Sequence, residues 1–284
     1  MLYNQNKELM KKILFPTDFS DVSKNAFLYA LRLAKNINAE IITLHVYDIP
    51  QINLMDVPVQ LFEIYEVTEL SQFENYKHHI PMLRAIAEKH HLEHVKISNV
   101  LVQGDLITNI VKISKEDQID YIVMGTKGAT GLASTFLGSV TTKVMNETKA
   151  VVLAIPENCK YQPIKKILFT TQYRTEDIAI LNKVLTLAKV FHSNIDCLYV
   201  KNEESEDTQS VVEVWKNFFS SESIDFHTIE SSDVEGIILK FVEVHKINML
   251  AMHIHHRGFF ERLFHASLSK KLAFHSEIPI LAIH

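Results

Sequence analysis

The chain has 284 residues, 47% of them apolar and 22% charged, with a formal net charge of −5. That length suits two domains, each burying its own core, and the acidic balance without a Lys/Arg cluster excludes an electrostatic footprint for nucleic acid. No apolar run approaches the roughly 18 residues that span a bilayer, and the polar opening MLYNQNKELMKK lacks the hydrophobic core of a signal peptide. The two cysteines, Cys159 and Cys197, have neither a CxxC nor a zinc-ribbon spacing. Reduced thiols in a cytoplasmic protein are the expectation.

The apolar run KKILFPT at 11–17 reads as a first strand, followed by Asp18 and Ser20, either of which can cap the next helix. SKNAFLYALRLAKNI carries apolar residues at helical spacing, AEIITLHVY is a strand, and residues 62–91 are again helical. VKISNVLV predicts a strand, LITNIVKISKE a helix, YIVMG a strand, SVTTKVMNET a helix and AVVLAIP a last strand. Five strands alternating with four helices predict a parallel sheet covered on both faces, and several of these strands are apolar on both sides, as such a sheet requires.

The pattern then repeats. KKILFPTDFSD at 11–21 returns as KKILFTTQYRT at 165–175, and YIVMG…AVVLAIP at 121–156 returns as MLAMH…IPILAIH at 249–284. The offsets are 154 and 128 residues, so the second copy is shorter in its middle, where NEESEDTQS leads into a helix around Trp215. The expected organisation is a first domain over 1–156, a linker over 157–163 with Pro156 and Pro163 at its ends, and a second domain over 164–284.

In an open parallel sheet, ligands bind beyond the carboxyl ends of the strands where the strand order reverses. Pro16-Thr17-Asp18, His45-Val46-Tyr47 and Met124-Gly125 all converge on that edge. The stretch IVMGTKGATGLASTFLGS at 122–139 runs from a strand through a glycine-rich loop to a helix start. Glycine lets backbone approach an anion, and the N–H groups of a helix start point at it, so the segment suits phosphate. The same residues also fit a plain tight turn, with Asp18 a simple helix cap.

The order of elements, the PTDFS turn and the spacing Gly125-x2-Gly128-x9-Gly138-Ser139 resemble a tandem universal stress protein over essentially the whole chain, with a first domain of the ATP-binding type. The resemblance implies two tandem five-stranded parallel-sheet α/β domains, Rossmann-like and similar to the adenine nucleotide alpha hydrolases. It implies ATP, AMP or ADP as cofactor, with magnesium as an accompanying ion. Pro16, Thr17 and Asp18 at the end of strand one would belong to the nucleotide site, with Asp18 facing the adenine and ribose. Val46 and Met124 would contact the base. Gly125 and Gly128 would let the loop wrap the ribose and phosphates, and Lys127 stands within that loop either as a charge contact or in water. Gly138, Ser139, Val140 and Thr141 would bind phosphates through backbone N–H groups and hydroxyls.

The second copy departs from this pattern. Asp18 corresponds to Gln172, Pro16 to Thr170, Gly125 to His253, Gly128 to His256 and Gly138 to Ala266, while Ser139 persists as Ser267. Side chains at former glycines fill the space that phosphates need, so the second domain is expected to bind no ATP in the family manner. His253, His255 and His256 invite a metal reading, with His265, His275 and His284 as further donors, but exposed loop histidines are far commoner than metal sites.

No nucleophile–base pair, GxSxG elbow or GxxxxGK[ST] loop is present. Asp18 and Asp105 could at most assist a magnesium ion in slow hydrolysis, although Asp105 has a counterpart in Asp233 and reads better as a helix cap. The expectation is a nucleotide-dependent stress-response binding protein. Its alternatives are a slow ATPase using the same pocket and a nucleotide-free interaction scaffold with unnamed protein partners. The last strands of the two copies are apolar edges that must be covered. In the resembled family such strands pair across a dimer, so one chain with two copies forms a pseudo-dimer, and association into a homodimer is compatible with the same surfaces. The segment 48–70 is expected to cover part of the pocket.

Overall fold

The computed structural model describes residues 10–48, 59–126, 138–201, 209–254 and 278–284. The first half runs β1 (Lys11–Pro16), α1 (Asp21–Ile37), β2 (Ala39–Tyr47), α2 (Val59–Lys89), β3 (Ile97–Gln103), α3 (Leu106–Glu116), β4 (Tyr121–Gly125), α4 (Ser139–Glu147) and β5 (Val151–Ile155). The second runs β6 (Lys166–Thr170), α5 (Asp177–Phe191), β7 (Asn194–Lys201), α6 (Gln209–Phe218), β8 (Ile224–Glu230), α7 (Val234–His245), β9 (Met249–His253) and β10 (Ile280–Ile283).

All ten strands form one sheet in the order β3-β2-β1-β4-β5-β10-β9-β6-β7-β8. Within each half every pairing is parallel, and the two halves meet where β5 and β10 pair antiparallel, Leu153 opposite Leu281. The two apolar last strands therefore cover each other inside one chain, and the tandem pseudo-dimer expected from the repeat is the fold observed.

Alternation along β1 shows why both faces must be covered. Ile13 and Phe15 enter one core with Phe27 of α1, Leu83 of α2, Leu181 of α5 and Trp215 of α6. Leu14 enters the other with Ile110 of α3, Val144 of α4 and Phe241 of α7. Helices α1, α2, α5 and α6 thus share one face, and α3, α4 and α7 the other. Because α1 and α4 lie on opposite faces, the connections after β1 and β4 diverge, and a crevice opens at their carboxyl ends. The equivalent crevice in the second half lies between β6 and β9, paired with Thr170 beside Met252.

The linker is docked rather than loose. Asn25 Nδ2 donates to the Cys159 carbonyl at 2.7 Å, Tyr29 Oη lies 3.1 Å from Cys159 Sγ, and Tyr161 packs edge-on to Tyr29. Among the described residues neither cysteine is in a disulfide, and both are buried. Burial pushes the Cys197 thiol up, and the Asp177 carboxylate adds to the shift. Of the segment expected to cover the pocket, residues 49–58 lie outside the described residues. Beyond it, Tyr47 Oη at the end of β2 donates to Glu69 of α2 at 3.3 Å. No helix among the described residues is long and apolar enough to cross a membrane.

Candidate functional site

The strand-one turn is built by short polar contacts. Thr17 is buried, with its N–H donating to the Leu44 carbonyl at 2.9 Å and its hydroxyl 2.6 Å from Ser23 Oγ. The Phe19 N–H donates to Thr17 Oγ1 at 3.0 Å, and Phe19 takes a left-handed φ of 59°. His45 Nδ1 lies 2.7 Å from the Thr17 carbonyl, which fixes that nitrogen as the protonated one. Phe19 is buried between His45 and His79, with ring centroids 5.0 and 4.7 Å away. This leaves Asp18 exposed at the tip, its Oδ1 accepting from the Ser20 N–H at 3.0 Å and the Ser20 hydroxyl at 2.7 Å. Ser20, not Asp18, caps α1, accepting from the Ser23 N–H.

Across the crevice, Met124 is buried and Val46 packs against the same core from β2, so both stand on one face of the sheet. Gly125 ends β4, and Lys127 and Gly128 lie outside the described residues. Chain and crevice meet again at Gly138, whose N–H donates to the Thr126 carbonyl at 2.8 Å. A Cβ on Gly138 would lie 2.5 Å from that same oxygen, inside any real contact distance. This glycine is required by the close approach of two backbone segments.

Two expected phosphate donors are corrected by these contacts. The Gly138 N–H is taken up by Thr126 and is not offered to a ligand. The Thr141 hydroxyl is buried and donates to the Gly125 carbonyl at 3.2 Å, tying α4 to the end of β4. What remains is the first turn of α4, where Gly138 supplies no side-chain cap. Among the described residues no group accepts from the N–H of Ser139, Val140 or Thr141. Ser139 is exposed there. A helix start whose N-cap glycine supplies no side chain, at a switch point, has the chemistry that suits an anion. Pro16 ends β1 and Thr17 is held inside the turn, while the contacts of Ser23, His45 and Thr126 are announced by no local motif.

Asp105 belongs elsewhere. Its Oδ1 accepts from the Thr108 N–H at 2.8 Å and the Thr108 hydroxyl at 2.7 Å, which holds the carboxyl below the usual carboxylate range. Asp233 caps α7 in the same way. Both are helix caps.

The Universal stress protein family model matches residues 10–156, more than half of the chain. The chain belongs to the universal stress protein family. Universal stress protein MJ0531 of Methanocaldococcus jannaschii is 32% identical over 155 residues, covering 54% of this chain and 86% of the relative. Universal stress protein MJ0577 of the same organism is 31% identical over 160 residues, covering 52% and 95%. The crystal structure of a universal stress protein from Archaeoglobus fulgidus is similar at a TM-score of 0.66 and 20% identity, covering 96% of this chain and 95% of that one. At that identity the likeness is one of fold, and it extends the universal stress protein architecture over both halves.

Proposed function

We propose that the first half binds an adenine nucleotide, ATP foremost and AMP or ADP by the same contacts, and that occupancy sets what this stress protein contacts. The observation that carries this reading is the meeting of two features at one crevice: the exposed carboxylate of Asp18 after β1 and the first turn of α4 after β4, whose N-cap glycine supplies no side-chain cap. The carboxylate suits ribose hydroxyls, and three N–H groups at a helix start suit phosphate. Val46 and Met124 form the apolar floor on which a base can lie. Lys127 and Gly128 complete the loop in this reading, and magnesium would accompany the phosphates.

No pair of described side chains forms a nucleophile and its base at this crevice, so binding without rapid turnover is the proposal. Calorimetric titration with ATP and magnesium tests it. Wild-type protein is expected to give a saturable signal, weakened about tenfold or more in Asp18→Ala, as loss of a charged hydrogen bond implies. Bound nucleotide should stay intact over hours. Absence of a signal in wild type, or an unchanged affinity in the variant, contradicts the assignment. Multiple turnover would move the function to a slow ATPase using the same pocket.

A further inference from the structure

The second crevice is not merely a first crevice that has lost its glycines. Between the copies the acidic group has moved: Asp18 and Ser23 of the first half correspond to Gln172 and Asp177 of the second. The carboxylate thus leaves the exposed tip of the turn and reappears at the first residue of α5, where it is buried.

Its oxygens are then filled from inside the protein. Asp177 Oδ2 accepts from the Thr171 hydroxyl at 2.9 Å, the Gln172 N–H at 3.1 Å and the Arg174 N–H at 3.3 Å. The other oxygen, Oδ1, is 2.8 Å from His253 Nδ1, and the two side chains are only 5% and 11% exposed. A carboxylate only accepts, so Nδ1 carries the proton that joins them. His253 is the last residue of β9 and stands where the first half has Gly125, so this bond spans the switch point from α5 to β9. In the first half the same span runs from Ser23 to a residue with no side chain.

The turn itself is otherwise the same. Tyr173 repeats the left-handed Phe19, with φ 56°, and its N–H donates to Thr171 Oγ1 at 2.8 Å as Phe19 does to Thr17. One framework therefore carries an open version and a filled one. The chemistry of the filled version is that of a bound anion: a negative group at a helix N-terminus, held by backbone N–H groups, a hydroxyl and an imidazole.

We propose that the second crevice is a self-occupied site, in which the Asp177 carboxylate latched by His253 takes the place of an external anion. The first half then holds the only ligand-responsive turn of the pair, and the second is a fixed platform. The comparison with an external anion rests on the nucleotide reading of the first half; the latch itself does not, and its test uses no nucleotide.

Hydrogen exchange on the full-length protein, followed by mass spectrometry without added ligand, reads the latch directly. His253→Gly, which installs the first-half residue, is expected to speed exchange of the 171–177 amides about tenfold or more, the scale of a lost hydrogen bond to a charged group. Exchange at 16–23 should be unmoved. His253→Asn, which keeps an N–H near the position of Nδ1, should restore most of the protection. Unchanged exchange in His253→Gly overturns the latch, as does an equal loss in His253→Gly and His253→Asn, since bulk alone would then explain the residue. If His253→Gly does not fold, the near-isosteric Asp177→Asn serves in its place: faster exchange at 171–177 supports the latch, and wild-type protection overturns it. Nucleotide binding by the first half is measured separately, so failure of either reading is visible without the other.

Discussion

Replacing Gly138 by valine is expected to abolish nucleotide binding while leaving the ten-stranded sheet folded. Gly138 sits where the chain returns from the loop to α4, and its backbone lies against the Thr126 carbonyl. Any Cβ there would come within 2.5 Å of that oxygen, so one of the two segments must move. The oxygen is backbone, and Thr126 is itself pinned by its N–H donating to the Ile155 carbonyl at 3.0 Å. The yielding partner is therefore the start of α4, whose first-turn N–H groups are the proposed phosphate donors. A shift of about an ångström removes several of these contacts together, and an affinity loss of about 100-fold or more follows. The cost to folding is that of local overpacking, about 1–3 kcal/mol. Calorimetry for binding and circular dichroism with urea unfolding for stability check both halves of the expectation. An affinity within about threefold of wild type would show that the helix start does not hold the phosphates.

The second large effect concerns the seam between the halves. Leu281 of β10 is 1% exposed and faces Leu153 of β5 across the one antiparallel pairing among the described strands. Leu281→Asp places an unpaired carboxylate in that core, where no described cation stands ready to compensate it. Such a change belongs with the costliest substitutions, at about 4 kcal/mol or more, against about 2–5 kcal/mol for Leu281→Ala. The consequence reaches beyond stability, because parting β5 from β10 exposes two apolar strand edges that will seek other partners. Urea unfolding is expected to shift strongly and to split into two transitions, with concentration-dependent association at neutral pH. A single transition at the wild-type midpoint would mean that the halves are held by something other than this seam.

The layout of the sheet is legible in the sequence because it rests on local periodicity and on repetition. Runs such as KKILFPT and YIVMG are apolar on both faces, and each returns in the second half, at offsets of 154 and 128 residues. The helices between them carry helical spacing, and α2 at Val59–Lys89 falls close to the predicted 62–91. Asp18, Gly125 and Gly138 could be singled out for the same reason, since strand ends and glycine spacing are local signals.

What escaped sequence reading depends on contacts between distant segments. Nothing in LGS announces that the Gly138 N–H is already taken by Thr126, or that the Thr141 hydroxyl turns inward to Gly125. His253 is the clearest instance. In the sequence MHIHH it reads as one of several loop histidines with metal-ligand spacing, yet it ends a strand, is mostly buried and binds Asp177, 76 residues away. His255, His256, His265 and His275 lie outside the described residues. The repeat held a usable hint, since aligning KKILFPTDFSDVS with KKILFTTQYRTED sets Ser23 against Asp177. A carboxylate appearing in one copy where a histidine also appears is a pair worth testing for contact.

Native mass spectrometry of the intact chain, purified gently and then supplied with ATP and magnesium, tests the central claim most directly. One open crevice and one filled by Asp177 and His253 predict a single added nucleotide per chain at saturation, lost in Gly138→Val and kept in His253→Asn. Two nucleotides per chain would contradict the self-occupied second site, and none would contradict the nucleotide assignment of the first.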